Sequence, residues 1–193
     1  MIGRAARLAA VFLAGLALVA ACDSSNRPED LSLSGVKPCQ LILQSKLKAL
    51  EVTRGPTLVD DTGGVGLEGA SCWYSVVYGR PAKHPSAQVV DNRVKMTVVT
   101  NHGVGWQIDD VSDGDSFEYK DVRRIQGYRA VRVWDAAHPP GRNTYCELYV
   151  DVANEQMLKV HVGSSSGEVD PPTCDTARRF AKAALKTLRA WQG

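Results

Sequence analysis

No stretch of this 193-residue chain is apolar for long enough to cross a bilayer: the run from Leu8 to Ala21 is 14 residues, against the roughly 20 that a spanning helix needs. An excess of charge is missing too. The 23 Lys and Arg against 21 Asp and Glu leave a net charge of +2, whereas binding to a polyanion draws on a basic excess, so nucleic acid is not an expected partner. Histidine is scarce, and His84, His102, His138 and His161 stand far apart, with no pair at metal-ligand spacing. There is no Cys-x-x-Cys, no Cys-x-x-His and no glycine-rich phosphate loop opening a helix. These absences argue against a zinc site and a nucleotide fold, and neither a metal nor a cofactor is expected.

What is present begins with Val19-Ala20-Ala21-Cys22, closing the apolar run behind Arg4 and Arg7. Small residues directly before a cysteine are what a lipoprotein signal peptide presents for acylation and cleavage, and the thiol is the nucleophile that takes the lipid. Residues 1–21 are therefore expected to be a lipoprotein signal peptide, with Cys22 as the lipidated first residue of the mature chain. Two or three acyl chains would hold a domain stably on the extracytoplasmic face of the cell membrane, which one chain does not do. Residues 22–37 are polar and aperiodic and read as a flexible tether, leaving 38–193 as one domain. Removing Arg4 and Arg7 with the signal balances the mature chain at 21 basic and 21 acidic residues.

With Cys22 assigned to lipid, Cys39, Cys72, Cys146 and Cys174 remain, an even number in an exported chain. They read as two disulfides in an oxidising compartment, with three connectivities open.

The pattern along the chain is strand-rich. Pro38 suits a first helical position, and Cys39, Leu43, Leu47 and Leu50 predict a short amphipathic helix. Thr57 to Gly66, with Asp60, Asp61, Gly63 and Gly64, reads as loop. Strands are expected where apolar and polar residues alternate: Cys72 to Tyr78, Val94 to Val99, Gly127 to Trp134, Tyr145 to Val152 and Gln156 to Val162. Trp106 to Gln126 is acidic and turn-rich, then helix-compatible from Phe117 to Ile125. After Pro171-Pro172, the stripe Ala177, Phe180, Ala181, Ala184, Leu185, Leu188 and Trp191 predicts a helix lying on a sheet. The expected fold is α+β: a mostly antiparallel sheet of about five strands, with N-terminal and C-terminal helices on one face.

Two motifs invite catalysis or metal and fail on context. Gly163-Ser164-Ser165-Ser166-Gly167 is a formal G-x-S-x-G after a strand, but no helix follows directly, and every histidine precedes the serine. A Ser/Gly loop is the plainer reading. Asp109, Asp110, Asp113, Asp115 and Glu118 form an acidic cluster, yet placing Gly114 at the sixth position of a calcium loop puts Val111 and Lys120 where oxygen ligands are required.

Pro38-Cys39 before Leu41-Ile42, Cys72 before Trp73-Tyr74, Gly127-Tyr128-Arg129-Ala130 opening a strand, Cys146 in mid-strand, and Cys174 with Ala177 and Ala181 together resemble the actinobacterial small-lipoprotein family called domain of unknown function 3558. The likeness covers about residues 36–191. The family more often has a residue between this cysteine and its tryptophan, whereas Trp73 is adjacent here. The resemblance implies an envelope lipoprotein with an α+β domain and two disulfides, and brings no catalytic residues. Among the three connectivities, Cys39 with Cys72 and Cys146 with Cys174 is the pairing favoured.

The function expected is therefore a non-enzymatic binding or sensing module for an envelope ligand or protein. The alternatives are an accessory subunit of a membrane or secretion complex and, last, a hydrolase using Ser165. Aromatic residues on predicted strands supply the candidate ligand surface: Trp134, Tyr145, Tyr149 and His161, grouped with Arg132 on the sheet face away from the C-terminal helix.

Overall fold

The computed structural model describes residues 27–61, 66–77, 91–105, 118–135, 145–163 and 173–193. Alternating segments become strands, and the sheet has seven of them rather than five. They are β1 (Val52–Val59), β2 (Gly69–Val77), β3 (Asp91–Val99), β4 (Glu118–Ile125), β5 (Tyr128–Asp135), β6 (Tyr145–Ala153) and β7 (Gln156–Gly163). Their order is β1-β2-β3-β7-β6-β5-β4, with every neighbouring pair antiparallel. Two meanders, β1 to β3 and β4 to β7, thus join along β3 and β7.

The two additional strands are the two edges. β1 runs from the end of the expected N-terminal helix into the start of the expected loop, across Gly55-Pro56, which reads as a turn; an edge strand tolerates proline, which has no amide hydrogen to give the ladder. Its pairing with β2 is irregular on both sides of Arg54. Gly55 has φ 105°, and a Cβ there would stand 2.7 Å from the Trp73 carbonyl oxygen, so glycine is what lets the edge lie so close to β2. β4 replaces the helix-compatible stretch. Its Lys, Asp and Arg residues hide the alternation, and charge on an edge strand discourages pairing with another chain.

One sheet face carries Cys72, Tyr74, Val76, Val94, Met96, Leu148, Val150, Leu158 and Val160, all in a single buried core. The C-terminal helix α2 (Thr173–Gln192) lies on it through Ala177, Phe180, Ala181, Ala184, Leu185 and Leu188, each fully buried. The alanines let the helix sit close, while Phe180 reaches Tyr74 with ring centroids 5.4 Å apart. The N-terminal helix is shorter than its apolar spacing predicts: a 3-10 turn at Pro38–Gln40, one helical turn α1 (Gln44–Leu47) and a second 3-10 turn at Lys48–Leu50. Leu41, Ile42, Leu47 and Leu50 still enter the same core.

Within the stretch read as a tether, Leu31 and Leu33 are buried. The Leu31 amide donates to the Val152 carbonyl at 2.8 Å, and the Leu33 amide to Gln156 Oε1 at 2.6 Å. Folded structure therefore begins before Pro38. The disulfides join Cys39 to Cys72 and Cys146 to Cys174, as favoured from sequence. The first ties the N-terminal turn to β2, the second ties α2 to β6.

Candidate functional site

Strand register decides which side chains share the face away from α2. Crossing the sheet, Arg54 of β1 pairs with Ser75 of β2, which pairs with Arg93 of β3. One step along, the row runs Thr57, Trp73, Lys95, His161 and Glu147. The next runs from Ser71 through Thr97 and Lys159 to Tyr149. Because side chains alternate along a strand, all of these point away from the helix.

A groove of about 350 Å³ opens where β1 bends off β2, lined by Arg54, Thr57, Trp73, Ser75 and Arg93 with backbone at Gly55 and Tyr74. Arg54 and Arg93 are exposed, whereas Trp73 is half-buried and forms a wall. No carboxylate is among the described lining residues. The neighbouring Lys95 is committed elsewhere: its Nζ lies 2.6 Å from Asp61 Oδ2 and 5.7 Å from the centre of the Trp73 ring.

Deeper on this face sits a buried charged cluster. Lys95 and Lys159 are only 6% and 5% exposed. Glu147 gathers its partners around one carboxylate: Lys159 Nζ and His161 Nδ1 each 3.0 Å from Oε1, and the Tyr149 hydroxyl donating to Oε2. Burial alone would raise the Glu147 pKa, but the His161 hydrogen bond, the Lys159 charge and the Tyr149 hydrogen bond bring it down to about 2. Next to this cluster, Leu67, Val99, Val104, Val131, Val133 and Met157 pack with Tyr149 into a second, smaller core. Ser71 and Thr97 join hydroxyls at 2.7 Å across β2 and β3.

The structure separates the four residues proposed as a ligand surface. Tyr145 and His161 do share the face away from α2, stacked with centroids 6.1 Å apart and planes within 17°. Tyr149 is on that face but buried, engaged with Glu147 and 5.2 Å from Lys159 Nζ, so it is packing rather than surface. Trp134 lies on the helix-side face, paired in register with Cys146. Arg132 accompanies it there, 4.3 Å over its ring, and grips Asp121 through two hydrogen bonds of 2.9 and 2.8 Å. Trp134 and Arg132 share the side-chain parity of Tyr128 and Ala130, which the core requires on the helix side.

Sequence reasoning missed Arg54 and Arg93. The available signal was parity: Arg93 alternates with Lys95 on β3 in the same phase as Trp73 and Ser75 on β2. Cys22, Ser165, His84, His138 and the acidic stretch Asp109 to Asp115 lie outside the described residues, as does the side chain of Glu118. Among the described residues, no group of three or more His, Cys, Asp or Glu is arranged to hold a metal ion, and no helix is long and apolar enough to cross a membrane.

The fold and site define a two-disulfide α+β domain with a cationic groove at one sheet edge. The family described as protein of unknown function (DUF3558) matches residues 17–187, and the chain belongs to that family. No curated protein and no solved structure matches it.

Proposed function

We propose that this chain is a lipid-anchored lipoprotein of the cell envelope whose domain is a non-enzymatic binding or sensing module outside the cytoplasm. The anchor rests on the residues before and at Cys22, which place a thiol directly after small residues at the end of a short apolar run. The binding reading rests on one observation: the groove edged by Arg54, Ser75 and Arg93, with Trp73 as its wall. A concave site with an apolar wall and a few convergent polar groups is the form ligand sites take.

The charged cluster behind the groove supports binding over catalysis. A general base should have a pKa near the working pH, and Glu147 is held far below it by partners that occupy both of its oxygens. His161 spends Nδ1 on that same carboxylate. The cluster organises the floor of the sheet.

Native mass spectrometry of the full chain carrying Cys22→Ser, exported to an oxidising compartment and incubated with an envelope extract of lipids and glycans, tests the binding reading. A retained adduct that disappears in Ser75→Trp is expected. A bare chain in both would contradict the reading. The anchor is tested separately by fractionation: the parent is expected in membranes with diacylglycerol on Cys22, and the Cys22→Ser chain in the soluble fraction.

A further inference from the structure

We propose that the groove holds a phosphate group between the guanidinium groups of Arg54 and Arg93, the rest of the ligand lying along Trp73. This rests on the groove being the binding site and adds the chemistry it recognises. Arg54 and Arg93 flank Ser75 in one cross-strand row, so their Cα atoms stand two strand spacings apart, about 10 Å. Two long side chains rooted at that separation on one face reach a common point above Ser75.

Among the described residues, neither guanidinium has an ion pair or hydrogen bond, in contrast to Lys95, Arg132 and Arg179, each of which has a carboxylate. Two like charges held over one groove repel until an anion enters. The planar fork of arginine matches phosphate and carboxylate oxygens in pairs. A phosphate monoester carries about −1.5 to −2 at neutral pH and so neutralises both arginines, which a single carboxylate does not. The Ser75 side chain lies between them in the same row, where a hydroxyl can donate to a phosphate oxygen. Thr57 and Trp73 occupy the adjoining row, so the uncharged part of the ligand meets an indole and a hydroxyl. That combination suits a sugar ring or glycerol backbone more than an alkyl chain. A phosphorylated sugar and the phosphomonoester headgroup of phosphatidic acid both present this chemistry.

Calorimetric titration of the full chain carrying Cys22→Ser with glucose 1-phosphate and with inorganic phosphate provides the soluble arm. Sedimentation with phosphatidylcholine vesicles, with and without phosphatidic acid, provides the lipid arm. Binding is expected in at least one arm, weakened tenfold or more by Arg54→Gln and by Arg93→Gln, and falling as salt rises. Both arginines are exposed, so neither variant disturbs the core, and an unchanged melting temperature checks this. Saturation by glucose 1-phosphate without vesicle binding assigns the phosphate to a soluble ligand; vesicle binding that requires phosphatidic acid assigns it to a headgroup. No phosphate-dependent binding in either arm, or glutamine variants that bind like the parent, would overturn the proposal. If the envelope extract still gives an adduct that Ser75→Trp removes, the phosphate assignment falls and the binding reading stands. If it gives none, both fall.

Discussion

Glu147 and Lys159 meet on adjacent central strands at 3.0 Å, with the lysine almost wholly removed from solvent. Glu147→Gln would remove the buried carboxylate that Lys159, His161 and Tyr149 share, and breaking a buried pair from one side costs about 3 kcal/mol or more. A fall in the denaturant midpoint with an unchanged slope is expected at neutral pH. The same pair sets an acid limit. The folded-state pKa of Glu147 lies below its ordinary 4.5, at about 2, so its contribution is fully present above about 4.5 and is lost as the pH falls toward 2. Denaturant titrations at stepped pH should show this loss in the parent and a shallower one in Glu147→Gln.

Tyr74 points the other way. It is fully buried against Phe180, its hydroxyl has no hydrogen-bond partner among the described residues, and burial raises its pKa. An unsatisfied buried hydroxyl is a standing cost. Tyr74→Phe is therefore expected to leave the melting temperature unchanged or raise it, whereas Phe180→Ala should cost about 3–5 kcal/mol through the cavity it opens.

The disulfides close sequence separations of 33 and 28 residues, and restricting the unfolded chain by loops of that length contributes about 3–4 kcal/mol each. Cys146→Ala with Cys174→Ala should loosen α2 from β6 and lower the melting temperature. Amide exchange would show the helix opening first, ahead of β2 and β3.

Gly55→Ala is expected to push β1 away from β2, since the added carbon would meet the Trp73 carbonyl oxygen at 2.7 Å and the φ of 105° strains any L side chain. Strain of this kind costs about 1–3 kcal/mol. The same displacement would deform the groove, so ligand affinity should fall together with stability, and calorimetry on the one variant reads both.

How much of this was legible follows from where hydrophobic alternation was intact. β2, β3, β5, β6 and β7 bury one or both faces and show it. α2 shows it as a continuous apolar stripe. The edges did not: in β1 Gly55-Pro56 imitates a turn, and in β4 the run Glu118-Tyr119-Lys120-Asp121 offers no buried phase to read. Arg54 was hidden for that reason, because a residue read at the end of a helix, just before that turn, cannot be assigned a sheet partner. Trp134 was misplaced because aromatic content was read without parity, whereas Ala130 and Tyr128, two and three steps around the same alternation, already put it on the helix side. Leu31 and Leu33 alternate with Ser32 and Ser34, a strand-like pattern obscured by the polar residues around it.

The ligand site proposed here lies at the β1 to β3 edge of the face away from α2. Hydrogen–deuterium exchange of the Cys22→Ser chain with and without envelope extract tests it most directly. Added protection confined to peptides covering Arg54, Trp73 to Ser75 and Arg93 is expected. Protection centred on α2 or on the Arg132 and Trp134 side, or none anywhere, would contradict it.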